Sequence, residues 1–243
     1  MRNLGVVTLL GLVLSCGCAR YVTPGTRADL AALTAPNLQA AFAAEPAAAF
    51  PASIAAVRIQ SSDYTNHYLR THGGKHGHGR YSVITTREVE EQTQFERLAR
   101  LPQIAGLIGL STLLLPEQLT SESDLRTAAA RLKADMLLLY TFQTSYYTDD
   151  PAKTLTYISL GLSPNQKVKV SVTASAILID VRTGFVYGAV EASERRDRLT
   201  NAWQNHDSAD AARRDAEKVA FDKLVREFEA LWPTLVSRHT KKI

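Results

Sequence analysis

Cysteine is nearly missing from this 243-residue chain: Cys16 and Cys18 are the two it has, both close to the start. No disulfide framework can brace the fold, and no C-x-x-C pair offers a thiolate cage for a metal. An excess of one charge sign is missing too. The 28 Lys and Arg stand against 24 Asp and Glu, for a formal charge of +4, and the cations are scattered. That excludes the concentrated basic surface of a nucleic-acid reader, so no nucleic-acid partner is expected. Beyond the first residues there is no apolar run long enough for a membrane helix. The longest candidate, Leu101 to Leu115, contains Pro102, Gln103, Gly106 and Gly109 and falls short of the ~20 residues a bilayer requires. Catalytic signatures are also missing: no Walker A motif, no H-E-x-x-H and no G-x-S-x-G, the nearest serine to the last being Ser111. Nothing in the sequence asks for a cofactor. With 45% apolar and 21% charged residues, the chain is composed as an ordinary globular protein.

What is present begins with an address. Arg2 precedes an apolar stretch, Leu4 to Leu14, too short for a mature membrane span and patterned as a signal peptide over residues 1–15. It ends in Val13-Leu14-Ser15-Cys16, which resembles the lipobox of bacterial lipoproteins. The resemblance implies diacylglycerol on the Cys16 sulfur and cleavage before that residue; Cys18, with Ser15 three positions before it, is the competing site. Several acyl chains at ~0.8 kcal/mol per buried methylene would hold a protein on a membrane. In the bacterial pattern Gly17, rather than Asp, after the cysteine leans towards the outer membrane with the domain facing the periplasm.

Residues 16–52 carry Pro24, Pro36, Pro46 and Pro51 among many alanines, which forbids one long helix and reads as a tether; the alternative is an arm packed on the domain or on a neighbour. A folded domain is expected over 53–236, with a loose basic tail over 237–243. Within it, Ile54–Ile59 reads as a strand, Gln60–Arg80 as a Gly/His loop, and Tyr81–Thr86 as a second strand. Thr85 and Glu88 have capping-box spacing and predict a helix running to Arg100, stopped by Pro102. Leu101–Pro116 is expected as a buried irregular connector. Ser121 and Asp124 open a further helix with Leu125, Ala128, Ala129 and Leu132 on one face. The unbroken run Met136–Phe142 predicts a central strand covered on both sides. Val168–Asp180 and Phe185–Ala192 form a hairpin around Asp180–Gly184. Asp207 or Ser208 caps a last helix whose stripe is Ala216, Val219, Ala220, Leu224, Phe228 and Leu231, with Pro233 as its end. The order β-β-α-α-β-β-β-α predicts an α/β (α+β-like) fold, a mixed sheet with helices packed against it.

Three segments together resemble a known family: Leu125–Asp135 running into MLLLYTF, the hairpin ILIDVRTGFVYGAVEA, and the closing amphipathic helix. They are similar to the periplasmic α/β domain of envelope lipoproteins such as the curli-secretion channel subunit and the lipoprotein activators of penicillin-binding proteins. The resemblance spans about residues 121–232 and implies a docking or assembly role, with no site residues carried over. Thr144–Gln166, broken by Asp149-Asp150-Pro151 and Pro164, departs from the paired barrel-forming hairpins of the curli channel, so a pore is not expected.

Two further features point to sites. His72, His76 and His78, with His67 before them, could set three imidazole nitrogens around one ion, although a glycine-rich loop must then supply the ordering entropy. Trp203, in a polar stretch, could anchor a partner or pack over the sheet end. Asp149-Asp150 before Pro151 is a turn rather than an acid pair. The leading expectation is a non-enzymatic lipoprotein that docks an envelope protein or a second copy of itself. A metal-binding envelope protein is the alternative, and an envelope hydrolase the third reading.

Overall fold

The structure, a computed structural model, describes residues 25–34, 38–149, 166–200 and 205–240. Cys16, Cys18, Asp150 and Trp203 lie outside the described residues. Two short helices, α1 (Leu30–Leu33) and α2 (Leu38–Ala43), precede the sheet. Then come β1 (Ala52–Ser61), α3 (His67–His72), β2 (Lys75–His76), β3 (His78–Gly79), β4 (Tyr81–Ile84), α4 (Gln92–Ala99) and β5 (Ile104–Gly109). A 3-10 turn at Thr112–Leu114 leads to β6 (Gln118–Leu119), α5 (Glu122–Arg131), β7 (Met136–Asp149), β8 (Gln166–Asp180), β9 (Val186–Thr200) and α6 (Asn205–His239). The fold is the expected mixed sheet with helices, ordered β2-β4-β1-β7-β8-β9, with β5 also paired to β1. Strand β1 runs parallel to β7 and antiparallel to β4, and β7, β8 and β9 are successively antiparallel.

The run Met136–Phe142 is central, as its lack of alternation predicts. Met136, Leu138, Tyr140 and Phe142 point to one layer with Phe95 of α4 and Phe221, Leu224, Phe228 and Trp232 of α6. Leu137 and Leu139 point to the other with Leu125, Ala128 and Ala129 of α5, and Ala28 and Leu33. The core is therefore three layers deep, and β1, β7 and β8 each face both outer layers. Helix α5 opens as predicted, the Ser121 hydroxyl and the Asp124 carboxylate capping each other's backbone N–H groups.

Several expectations are corrected. The first helix does not open at Thr85: Glu91 and Gln94 form the capping box of α4, because Val89 and Glu90 are drawn into the core. Gln60–Arg80 is not a plain loop; it holds α3, N-capped by Asn66, and two short strands. Leu101–Pro116 is not a buried connector. Its middle is β5, a half-exposed strand lying parallel to the N-terminal half of β1. Strands β7 and β8 stay paired as far as Asp149 and Lys167, so Asp149 ends a strand. The return strand, expected over Phe185–Ala192, is β9 and runs on to Thr200.

Pro233 does not end α6, which continues to His239 and takes in the start of the expected loose tail. Asp207 and Ser208 likewise lie inside this helix. The hydrogen bond that Pro233 cannot make is offset by packing on either side. Trp232 is buried and donates its indole N–H to the Pro102 carbonyl at 2.7 Å, Leu235 is buried, and the His239 ring meets Tyr187 at 5.2 Å.

The stretch read as a tether makes specific contacts with the domain over its described part. Arg27 bridges to Gln60, and the Ala28 N–H donates to Thr141 Oγ1 at 3.1 Å. Farther along, the Ala47 and Ala48 N–H groups donate to one oxygen of Asp180 at 2.7 and 2.8 Å. The arm alternative, in contact with its own domain, describes these residues.

Candidate functional site

The three predicted metal ligands do not converge. His72 ends α3, its ring stacked on Tyr68 at 4.3 Å and its Nδ1 2.7 Å from Thr71 Oγ1. His76 sits in β2 with Nε2 3.2 Å from the Pro116 carbonyl, while His78 belongs to β3, which pairs with β6. Gly73, Gly74, Gly77 and Gly79 all adopt positive φ, and these turns separate the imidazoles. Among the described residues no group of three or more His, Cys, Asp or Glu side chains is arranged to hold a metal ion. Ser111 caps the 3-10 turn, accepting from the Leu113 N–H at 3.3 Å.

A charged centre that the motif search passed over lies between the sheet and α6. Arg58, near the middle of β1, is buried and donates to Glu90 at 3.1 Å and to the Tyr64 hydroxyl at 3.0 Å, with Glu217 at 4.0 Å. Arg213 donates to Glu217 at 2.7 Å, to Asp210 at 3.1 Å and to Glu88. The Thr144 hydroxyl occupies the other oxygen of Glu217 at 2.9 Å, and Asn66 links Tyr64 to Glu88. The Arg58 guanidinium also lies 4.5 Å from the centre of the Phe142 ring.

Burial alone would depress both guanidinium groups. The neighbouring carboxylates outweigh it, Glu90 first for Arg58 and Glu217 first for Arg213, and both are held above the ordinary arginine range. Burial pushes the Tyr64 hydroxyl up to about 12 and raises Tyr140 as well. Two guanidinium groups thus stand among four carboxylates in a place sheltered from water, with Arg214 on the other oxygen of Asp210 at 3.5 Å. Glu217 thereby joins α6 to β1 through Arg58 and to β7 through Thr144. Two local signals carry it in sequence. Arg58 interrupts an apolar strand, and Arg213 and Glu217 stand four apart on the alanine-rich face of a helix.

A second centre is Asp180, at the hairpin turn. Besides the Ala47 and Ala48 N–H groups, its carboxylate accepts from the Arg182 and Thr183 N–H groups at 2.8 and 3.1 Å and from the Tyr187 hydroxyl at 2.8 Å. Burial would raise this carboxyl. The donors, Tyr187 foremost, prevail and hold it below the usual carboxylate range. The reading of Asp180 as a turn residue therefore covers only part of what it does.

Between the arm and strands β8 and β9 runs a mostly apolar groove of about 460 Å³, lined by Ala28, Leu30, Ala31, Ile177 and Val190. Arg27 and Glu191 close one rim with an ion pair of 3.5 Å, and Ser175 donates to Glu191 at 3.0 Å.

No protein-family model matches the chain. No curated protein matches it either. Solved structures do match, among them a chain from Caulobacter crescentus CB15 described as a candidate lipoprotein. The two are 17% identical, with 48% of this chain and 78% of that one covered and a TM-score of 0.26.

Proposed function

We propose that this protein is a lipid-anchored lipoprotein of the bacterial envelope, whose α/β domain works by docking a protein partner or a second copy of itself rather than by catalysis. The observation that carries the reading is the apolar stretch Leu4–Leu14 ending in Val13-Leu14-Ser15-Cys16. Cys16 is the proposed acyl site, with the outer membrane as destination. The resemblance of residues 121–232 to periplasmic domains of envelope lipoproteins supports a docking or assembly role. So does the buried ionic centre, which commits the interior arginines and glutamates to one another.

The test is metabolic labelling with palmitate combined with membrane fractionation of wild type and Cys16→Ser. The expected outcome is label in the wild type, and loss of both label and outer-membrane location in the variant, because the acyl chains supply the membrane affinity. Label and location retained in Cys16→Ser but lost in Cys18→Ser would move the anchor to Cys18. Label retained in both variants would mean that either cysteine takes the lipid, and a wild type without label would reject acylation.

A further inference from the structure

The segment around α3 and the strands that follow it has an unusual charge pattern. Between Asp63 and Glu88 the chain carries Arg70, Lys75, Arg80 and Arg87 and not one carboxylate. Arg70, Lys75 and Arg80 are exposed, and no acid pairs with Arg70 or Arg80 among the described residues. Lys75 donates its ammonium to the Ser62 and Tyr64 carbonyls, at 2.5 and 3.1 Å, which keeps its charge at this edge of the sheet. Of the bordering acids, Glu88 is taken by Arg213, while Asp63 accepts from the Ser61 hydroxyl and keeps its negative charge, which leaves three exposed cations against one acid in this stretch.

The arm enters the fold at the same place. A Cβ on Gly25 would meet the Tyr64 backbone at 2.7 Å, so the chain is pressed against Asp63 and Tyr64 there. The Thr26 carbonyl accepts from the Ser61 N–H at 3.4 Å, and Ser61 pairs in register with Tyr81, the neighbour of Arg80. From Cys16 to Gly25 is nine residues. At ~3.3–3.6 Å per residue they span about 30 Å at most, so an anchor on Cys16 would leave this edge within reach of the bilayer.

We infer that the edge bearing Arg70, Lys75 and Arg80 is a membrane-facing surface that binds anionic lipid headgroups and sets the domain's orientation on the bilayer. Its orienting role rests on the anchor proposed above, whereas its preference for anionic lipid does not. Cations near an anionic surface each contribute roughly a fivefold change in partition, within about a Debye length of it.

The experiment is flotation of the full chain with vesicles of phosphatidylcholine alone, or with about one-third phosphatidylglycerol, at low and high salt. The readout is the ratio of binding to the two compositions, in which the contribution of the apolar N-terminus cancels. Wild type is expected to prefer the anionic vesicles at low salt and to lose that preference at high salt. Arg70→Gln/Arg80→Gln, with Lys75 left on its carbonyls, should melt like wild type and lose roughly twentyfold in the ratio. Arg100→Gln/Arg226→Gln removes the same charge from the C-terminal end of α4 and from α6 and should keep it. Equal wild-type binding to both compositions, an unchanged ratio in the first variant, or an equal loss in the second would overturn the inference. Palmitate labelling reports separately on the anchor, so failure of one reading is told apart from failure of the other.

Discussion

Replacing Asp180 should undock the arm before it unfolds the domain. Five donors converge on this carboxylate. Water can take over at the Arg182 and Thr183 N–H groups, which lie in the turn. The Tyr187 hydroxyl and the arm's Ala47 N–H have Asp180 as their acceptor, while the Ala48 N–H keeps a bond of 3.2 Å to the Tyr187 oxygen. Ala47 is exposed and its N–H passes to water once the arm lifts, so the buried Tyr187 hydroxyl is the donor left without an acceptor; at about 1–3 kcal/mol for such a donor, Asp180→Ala should cost about 3 kcal/mol. Against a typical total of ~5–15 kcal/mol the domain survives, with a Tm lowered by roughly 10 °C.

Asp180→Asn keeps the shape but sets two N–H donors among groups that donate, and should cost about 2 kcal/mol. Hydrogen exchange distinguishes undocking from general loosening. The Ala47 and Ala48 amides should lose protection in both variants, while Leu137 and Leu139 in β7 keep theirs. The pH dependence follows from the lowered Asp180 pKa. Its stabilisation is fully present above the unfolded value near ~3.9 and is lost as pH falls through the lower folded value. The arm should therefore stay docked at neutral and mildly acidic pH and release only in strong acid. Wild-type protection at Ala47 and Ala48 in Asp180→Asn, with unchanged Tm, would refute the clamp.

The remaining expectations concern the core and the turn. Leu138→Asp buries a charge in the layer shared with Phe95 and Phe221, costs several kcal/mol and should prevent accumulation of folded protein; a soluble variant that melts cooperatively would show that β7 is not central. Arg213→Ala leaves Glu217 and Glu88 buried without their cation, at about 3–5 kcal/mol, whereas Arg213→Ala/Glu217→Ala should recover part of the loss in chemical denaturation, and purely additive losses would count against coupling. Gly184 has φ +74°, and a Cβ there would stand 2.9 Å from Arg126 Nη1, so Gly184→Ala should cost about 1–2 kcal/mol by the same measurement.

Local pattern by itself determined much of this protein. The apolar run of β7, the Ser121–Asp124 cap of α5, the turn at Asp180–Gly184 and the alanine-rich stripe of α6 all follow from side-chain period and turn chemistry within a few neighbouring residues. These are the segments in which local preference and burial agree. Tertiary contacts decided the rest. Glu88 has capping-box spacing to Thr85, yet its carboxylate goes to Arg213, 125 residues away, and the helix begins only after Glu90 has reached Arg58. The IAGLIG stretch becomes a strand because the N-terminal half of β1 has an edge left over once β4 has paired with the other half. Pro233 remains within a helix because Trp232 and Leu235 are already buried on either side of it. The histidines are close in sequence but separated in space by glycine turns, and the arm has a proline-broken composition but finds acceptors at Thr141 and Asp180. For Glu88, Glu90, β5 and the arm the deciding partner lies far along the chain, where no period of 2 or 3.6 residues reaches.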